Sequence, residues 1–198
     1  MSLQNILHPF ESYDGYEDLL KSFDYGKKVI EVHGVTDMQK SLLSAALSRN
    51  TEKSCIIITH DDNLLRKIYD DISFFEPCLA VFFPSSEMIY HKIDAKSSED
   101  RMDRIKAISR IKNGERLIIC TTVEALLMTM GDPNYFYSFF VHISLGDTIS
   151  IERFTEYFLS AGYERVDMIE GRGQYSIRGG IIDFYSPKDD HPIRIELF

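Results

Sequence analysis

The chain has 198 residues, is 44% hydrophobic and carries a formal net charge of −9. That length and composition suit one large domain or two modest ones, and the acidic balance argues against a broad nucleic-acid footprint. No apolar stretch reaches membrane-spanning length, and Cys55, Cys78 and Cys120 are scattered without C-x-x-C spacing, so a reduced, cytoplasmic protein with structural thiols is expected.

Four short apolar runs punctuate the first two thirds: KVIEVHG (28–34), SCIIITH (54–60), LAVFFP (79–84) and RLIICTT (116–122). Runs this short, dense in Val, Ile and Phe, suit strands buried on both faces of a parallel sheet. Helical patterns lie between them. Asp61 or Asp62 can cap a helix carrying Leu64, Leu65, Ile68, Tyr69 and Ile72. Ser97 or Ser98 can cap another, in which Met102, Ile105, Ile108 and Ile111 recur every third residue. The alternation predicts an α/β, three-layer sandwich with right-handed crossovers.

A break at MGDPNYF (130–136) changes the pattern. Beyond it, FFVHISLGD (139–147) reads as a strand, and residues 150–163 read as a helix capped by Ser150. Its stripe is Ile151, Phe154, Phe158 and Leu159, and Gly162 suits its end. GQYSIRG (173–179), GIIDFYSP (180–187) and PIRIELF (192–198) follow with the two-residue period of an antiparallel sheet. Tyr175 and Ile177 then occupy one face, Ser176 and Arg178 the other. Gly179-Gly180 makes either a tight hairpin or a bulge. The expected organisation is an α/β domain over 1–137 and a small α+β module over 138–198. The chain stops within a strand pattern, so a piece of something longer is expected. Of the six bases in 139–198 five are Arg, whereas ten of the sixteen earlier ones are Lys; Arg presents the planar fork suited to carboxylates and interfaces.

GVTDMQKS (34–41) begins like a phosphate-binding loop, G-x-x-x-x-G-K-[S/T]. Gly34, Lys40 and Ser41 occupy the right places. Gln39 replaces the second glycine, so its side chain crowds the place of the β-phosphate, and Asp37 opposes a polyanion. Three readings stand: a nucleotide site, a capped helix start without chemical use, or a phosphate loop that has lost its chemistry and kept its fold.

GVTDMQKS resembles the phosphate loop of UvrB, the helicase-like protein of nucleotide excision repair. IICTTVEALLMTMGDP (118–133) is similar to the end of UvrB's first domain. RGQYSIRGGIIDFYSP (172–187) with HPIRIELF (191–198) resembles UvrB domain 2, where Arg-Gly, Asp, Pro and Arg-x-Glu stand at fixed offsets. The same pattern occurs in the UvrB-like amino-terminal regions of bacterial transcription-repair coupling factors. Two departures favour the latter family: the altered loop, and the segment 82–108, where Tyr90 is the sole tyrosine in the gap that holds UvrB's tyrosine-rich DNA clamp.

The resemblance implies a P-loop-NTPase-like first domain with a degenerate loop (Gly34, Asp37, Gln39, Lys40, Ser41) that binds no nucleotide. It also implies a UvrB-domain-2-like module that binds UvrA, the damage-recognition ATPase, through Arg165, Arg178, Arg194 and Glu196. UvrB has a further Arg where this chain has Ser176. The implied function is non-catalytic recruitment of UvrA to stalled transcription complexes. ATP and Mg belong to a DNA-translocase motor elsewhere in such proteins, as do the contacts with RNA polymerase and DNA. From charge pattern alone, Arg194 and Glu196 are better read as an inert same-face ion pair; the motif match reverses that preference. The alternative is half of a UvrB-type enzyme that binds ATP and damaged DNA, and a third possibility is an interaction protein unrelated to repair. No metal is expected, because the six histidines show no ligand spacing.

Overall fold

The computed structural model describes residues 14–85, 95–128, 132, 134 and 137–198. The chain divides into two compact units, Met1–Leu127 and Met128–Phe198. Among the described residues no helix is long and apolar enough to cross a membrane, and no cluster of His, Cys, Asp or Glu has a metal-holding arrangement.

In the first unit, helices α1 (Asp14–Asp24) and α2 (Asp37–Thr51) precede strand β1 (Cys55–Thr59), helix α3 (Asp62–Phe75) and strand β2 (Ala80–Phe83). Helix α4 (Ala95–Lys112), strand β3 (Ile118–Thr122) and the short helix α5 (Val123–Leu127) follow. The strands form a parallel sheet in the order β1-β3-β2, with Ile57 and Phe82 both in register with Cys120. Strand β2 is buried along its whole length, and its side chains alternate between two cores. Ala80 and Phe82 join Ala45 of α2 and Leu65, Ile68, Ile72 and Phe75 of α3. Val81 and Phe83 join Ala107 of α4 and Ala125 of α5. Helices therefore cover both faces of β2, as parallel strands require.

Asp61 caps α3, its Oδ1 accepting from the Leu64 amide at 2.9 Å, and the apolar stripe of that helix faces the sheet as its spacing predicts. Four expectations change. Residues 28–34 form no strand: among the described residues they pair with no neighbour, and Ile30, Val32 and Val35 instead line a groove of about 510 Å³ against Tyr16 and Leu19 of α1. Strand β1 is covered on one face only, leaving Ile56 and Ile58 exposed. Helix α4 begins at Ala95, so Ser97 and Ser98 lie within it rather than at its cap. It turns Arg104 and Ala107 inward while Ile111 is exposed. A strict third-residue spacing drifts by about 60° per step around a helix, so residues 102 to 111 cannot share one buried face. The expected clamp gap, including Tyr90, lies outside the described residues.

In the second unit, helix α6 (Ile151–Ser160) is capped by Ser150, whose Oγ accepts from the Arg153 amide at 3.3 Å. Strands β4 (Glu164–Arg165), β5 (Gln174–Arg178), β6 (Ile181–Phe184) and β7 (Ile193–Glu196) form a sheet in that order. The β4–β5 pair is parallel and the others are antiparallel. Phe158 of α6 stacks on Tyr175 with ring centroids 4.6 Å apart and packs on Phe184 at 5.3 Å. Ile177, Ile182 and Ile195 complete this core. Leu159, expected in the helix stripe, is exposed. Residues 139–147 are not a strand. Ser144 and Asp147 close a turn there, the Ser144 amide donating to Asp147 Oδ2 at 2.7 Å, and Leu145 lies in solvent. Apolar composition identified that segment, and the sheet gives it no partner edge.

Candidate functional site

Two places carry the residues that the sequence singles out, and each is built within its own unit. At the start of α2, Gly34 has φ +79°, a left-handed value that glycine adopts without strain. Thr36 caps the helix in a closed box. Its Oγ1 accepts from the Gln39 amide at 3.4 Å, and the Gln39 side-chain oxygen accepts from the Thr36 amide at 2.8 Å. The Thr36 and Gln39 amides are thus each engaged by the other residue's side chain. Lys40 Nζ lies 3.1 Å from Asp37 Oδ1, and Lys67 approaches the other oxygen at 3.7 Å. The hydrogen bond and charge of Lys40, with Lys67 adding, hold the Asp37 carboxyl below its ordinary value. Ser41 is fully buried, and its hydroxyl donates to Asp71 Oδ2 of α3 at 3.1 Å. Lys40 and Ser41 therefore each meet a carboxylate of the same unit, Lys40 with its side chain still 53% exposed. Sequence reasoning missed Asp71, which was legible only as half of an acidic pair inside a helix.

The second place is the open face of the β4–β7 sheet. Gly179 and Gly180 form a two-residue hairpin in which Arg178 pairs with Ile181, so the turn is tight and not a bulge. Gly179 has φ +60°, as the first central position of a type II′ turn requires. A Cβ on Gly180 would lie 3.0 Å from the Leu197 carbonyl oxygen, so the turn is glycine at both positions for separate reasons.

This register sets the face. Ser176, Asp183 and Arg194 stand side by side across β5, β6 and β7, and Ile181 pairs with Glu196 in the next row. Tyr175, Ile177, Ile182 and Ile195 point the other way into the core. Arg178, Arg194 and Glu196 accordingly share one face. Arg165 lies apart, exposed on edge strand β4 in register with Tyr175.

Asp183 organises the group. Its Oδ1 accepts from Arg194 Nε at 2.6 Å, and its Oδ2 accepts from Arg194 Nη2 and from Arg178 Nη2, both at 2.9 Å. The carboxylate is 13% exposed, whereas the two arginine side chains are 60% and 55% exposed, so an acid beneath holds two cations that reach solvent. Hydrogen bonds from Arg194, then from Arg178, keep the Asp183 carboxyl below its ordinary value, and the same contact raises Arg194. The Arg194–Glu196 pair that charge pattern alone suggested gives way to this one: Arg194 takes the carboxylate directly across the strands, which meets it side-on. Ser176 is buried and donates to the Asp167 carbonyl at 3.2 Å. Asp183 was missed as a site residue although it stands in the GIIDFYSP motif. Its odd place in an apolar strand, on the alternation face of Arg194, was the available signal.

Two of the three cysteines are withdrawn from chemistry by burial. Burial, with Cys55 adding, pushes the Cys120 thiol up to about 12, and burial also raises Cys55. Both are inert at neutral pH.

Residues 141–198 match the family described as the UvrB interaction domain. The whole chain is similar to the transcription-repair-coupling factor of Bacillus subtilis, at 31% identity over 197 residues covering 99% of this chain. It is also similar to UvrABC system protein B of Leptospira biflexa, at 27% over 92% of the chain, and of Hydrogenovibrio crunogenus, at 25% over 91%. The chain spans 17% of the first of these proteins and 29% of each of the other two.

Proposed function

We infer, from the premise that this chain is a UvrB-like region of the transcription-repair coupling factor kind, that it serves nucleotide excision repair as a docking platform for UvrA. The observation that carries this reading is the coincidence of the UvrB interaction domain with an exposed arginine pair built on a carboxylate. Fixed guanidinium groups on an otherwise acidic protein give a partner both an address and an orientation. Arg178, Arg194 and Glu196 form the contact surface, and Arg165 adds a separate contact from the edge strand. In this reading the chain does no chemistry. Its first unit is a P-loop-NTPase-like scaffold with a degenerate loop, supported by the diversion of Lys40 and Ser41 to Asp37 and Asp71. Coupling to stalled RNA polymerase, and the ATP-driven translocation of DNA, belong to other parts of such proteins.

The test is a pair of titrations on the same sample. UvrA binds saturably, and Arg178→Glu or Arg194→Glu abolishes binding while the chain stays folded, its thermal transition lowered only by the lost pairing with Asp183. ATP with magnesium gives no saturable signal. Saturable ATP binding that disappears in Lys40→Ala would instead favour the UvrB-type enzyme half, and undiminished UvrA binding by both charge reversals removes the docking reading.

A further inference from the structure

We propose that Asp183 is the positioning residue of this surface, holding Arg178 and Arg194 ready for a carboxylate on the partner; the proposal rests on the docking reading above. Three hydrogen bonds run from the two guanidinium groups to its two oxygens, from strands on either side. Arginine side chains are long and lose rotamer freedom when a partner immobilises them. Those on β5 and β7 are instead restrained beforehand by the strand between, which removes part of that entropy cost from the encounter.

The geometry also selects what the partner offers. The side edge of Arg194, Nε with Nη2, is taken by Asp183, so its Nη1 group faces outward, and Arg178 commits only Nη2. The two guanidinium groups share one carboxylate, which leaves donors uncommitted, and both arginines are more than half exposed. A carboxylate that approaches end-on meets donors already aimed. Glu196 on the same face can accept from a partner cation, so the surface fixes a direction as well as a sign. In this chain Ser176 fills the position beside Asp183 on β5, leaving the acid with two arginines to orient.

The experiment uses this chain with Asp183→Asn, Asp183→Glu and the Arg178→Ala/Arg194→Ala double variant, each titrated with UvrA. Arginine Nε–H signals are followed by nitrogen-15 NMR. Asp183→Asn keeps shape and removes charge. It is expected to weaken UvrA binding at least about fivefold and to broaden or lose the ordered Arg194 Nε–H signal. Asp183→Glu, which keeps the charge, recovers part of both. Adding Asp183→Asn to the double alanine variant changes affinity no further, whereas a merely structural role would weaken it again. Unchanged or tighter binding in Asp183→Asn overturns the proposal, tighter binding marking Asp183 as a competitor of the partner. If the alanine pair binds like the parent chain, the docking reading fails instead. The NMR signal then still decides whether Asp183 orders the arginines: an Arg194 Nε–H signal unchanged in Asp183→Asn rejects positioning on its own.

Discussion

Lys40 at the loop of the first unit and Arg194 on the sheet of the second each lie within about 3 Å of a carboxylate, with opposite consequences. Around α2, the carboxylates of Asp37 and Asp71 meet Lys40 and Ser41, a lysine whose compact ammonium is attracted without being aimed and a hydroxyl with no exposure. On the sheet, Asp183 occupies one edge of a five-donor fork and leaves the rest pointing outward. The same pairing leaves a lysine unaimed and aims an arginine. Charge alone is therefore a poor guide to recognition; what counts is how rigidly the donors left after internal partners are served are directed.

That contrast can be broken at several points, beginning with the support beneath the arginines. Phe158→Ala removes the ring that stacks on Tyr175 and is expected to cost about 3–5 kcal/mol in the second unit, read as an earlier urea transition, with UvrA binding falling alongside. Arg178→Glu or Arg194→Glu keeps the unit folded, with a smaller advance of that transition from the lost pairing with Asp183, and weakens UvrA binding by more than about thirtyfold in calorimetric titration. Ser41→Ala strips Asp71 of a buried donor and costs the first unit about 1–2 kcal/mol in thermal unfolding, with UvrA affinity unchanged. Lys40→Ala, at an exposed pair, shifts stability by less than about 0.5 kcal/mol and does not alter the response to ATP. A pH series sharpens the comparison further. Because Asp183 is depressed in the folded state, its contribution is complete above the ordinary aspartate range and disappears as pH falls through its lowered value. Acid unfolding followed by circular dichroism should lose that component in Asp183→Asn.

Periodicity was the most dependable guide to the fold. It located β1 to β3 through dense β-branched runs and β5 to β7 through strict alternation, and capping chemistry located the starts of α3 and α6. It misled wherever apolar content was mistaken for a paired edge. Residues 28–34 and 139–147 contain enough Val, Ile and Phe for strands, but a strand also needs a neighbour, which no local pattern reports. The Met102–Ile111 series shows the same limit in a helix, where Arg104 turns inward to donate to the Pro84 carbonyl and lie 4.2 Å from the Phe83 ring. At the site, motif and alternation put Arg178, Arg194 and Glu196 on one side of the sheet. The hub was less legible, because Asp183 meets its arginines across strands eleven and five residues away in sequence.

The two-glycine turn has an evolutionary corollary. Side chains swap sides at every step along a strand, so a one-residue slip of β6 against β5 would drive the acid into the aromatic packing and thrust Ile182 into water. A lineage that kept the pairing set by this turn would keep the charged side of its sheet.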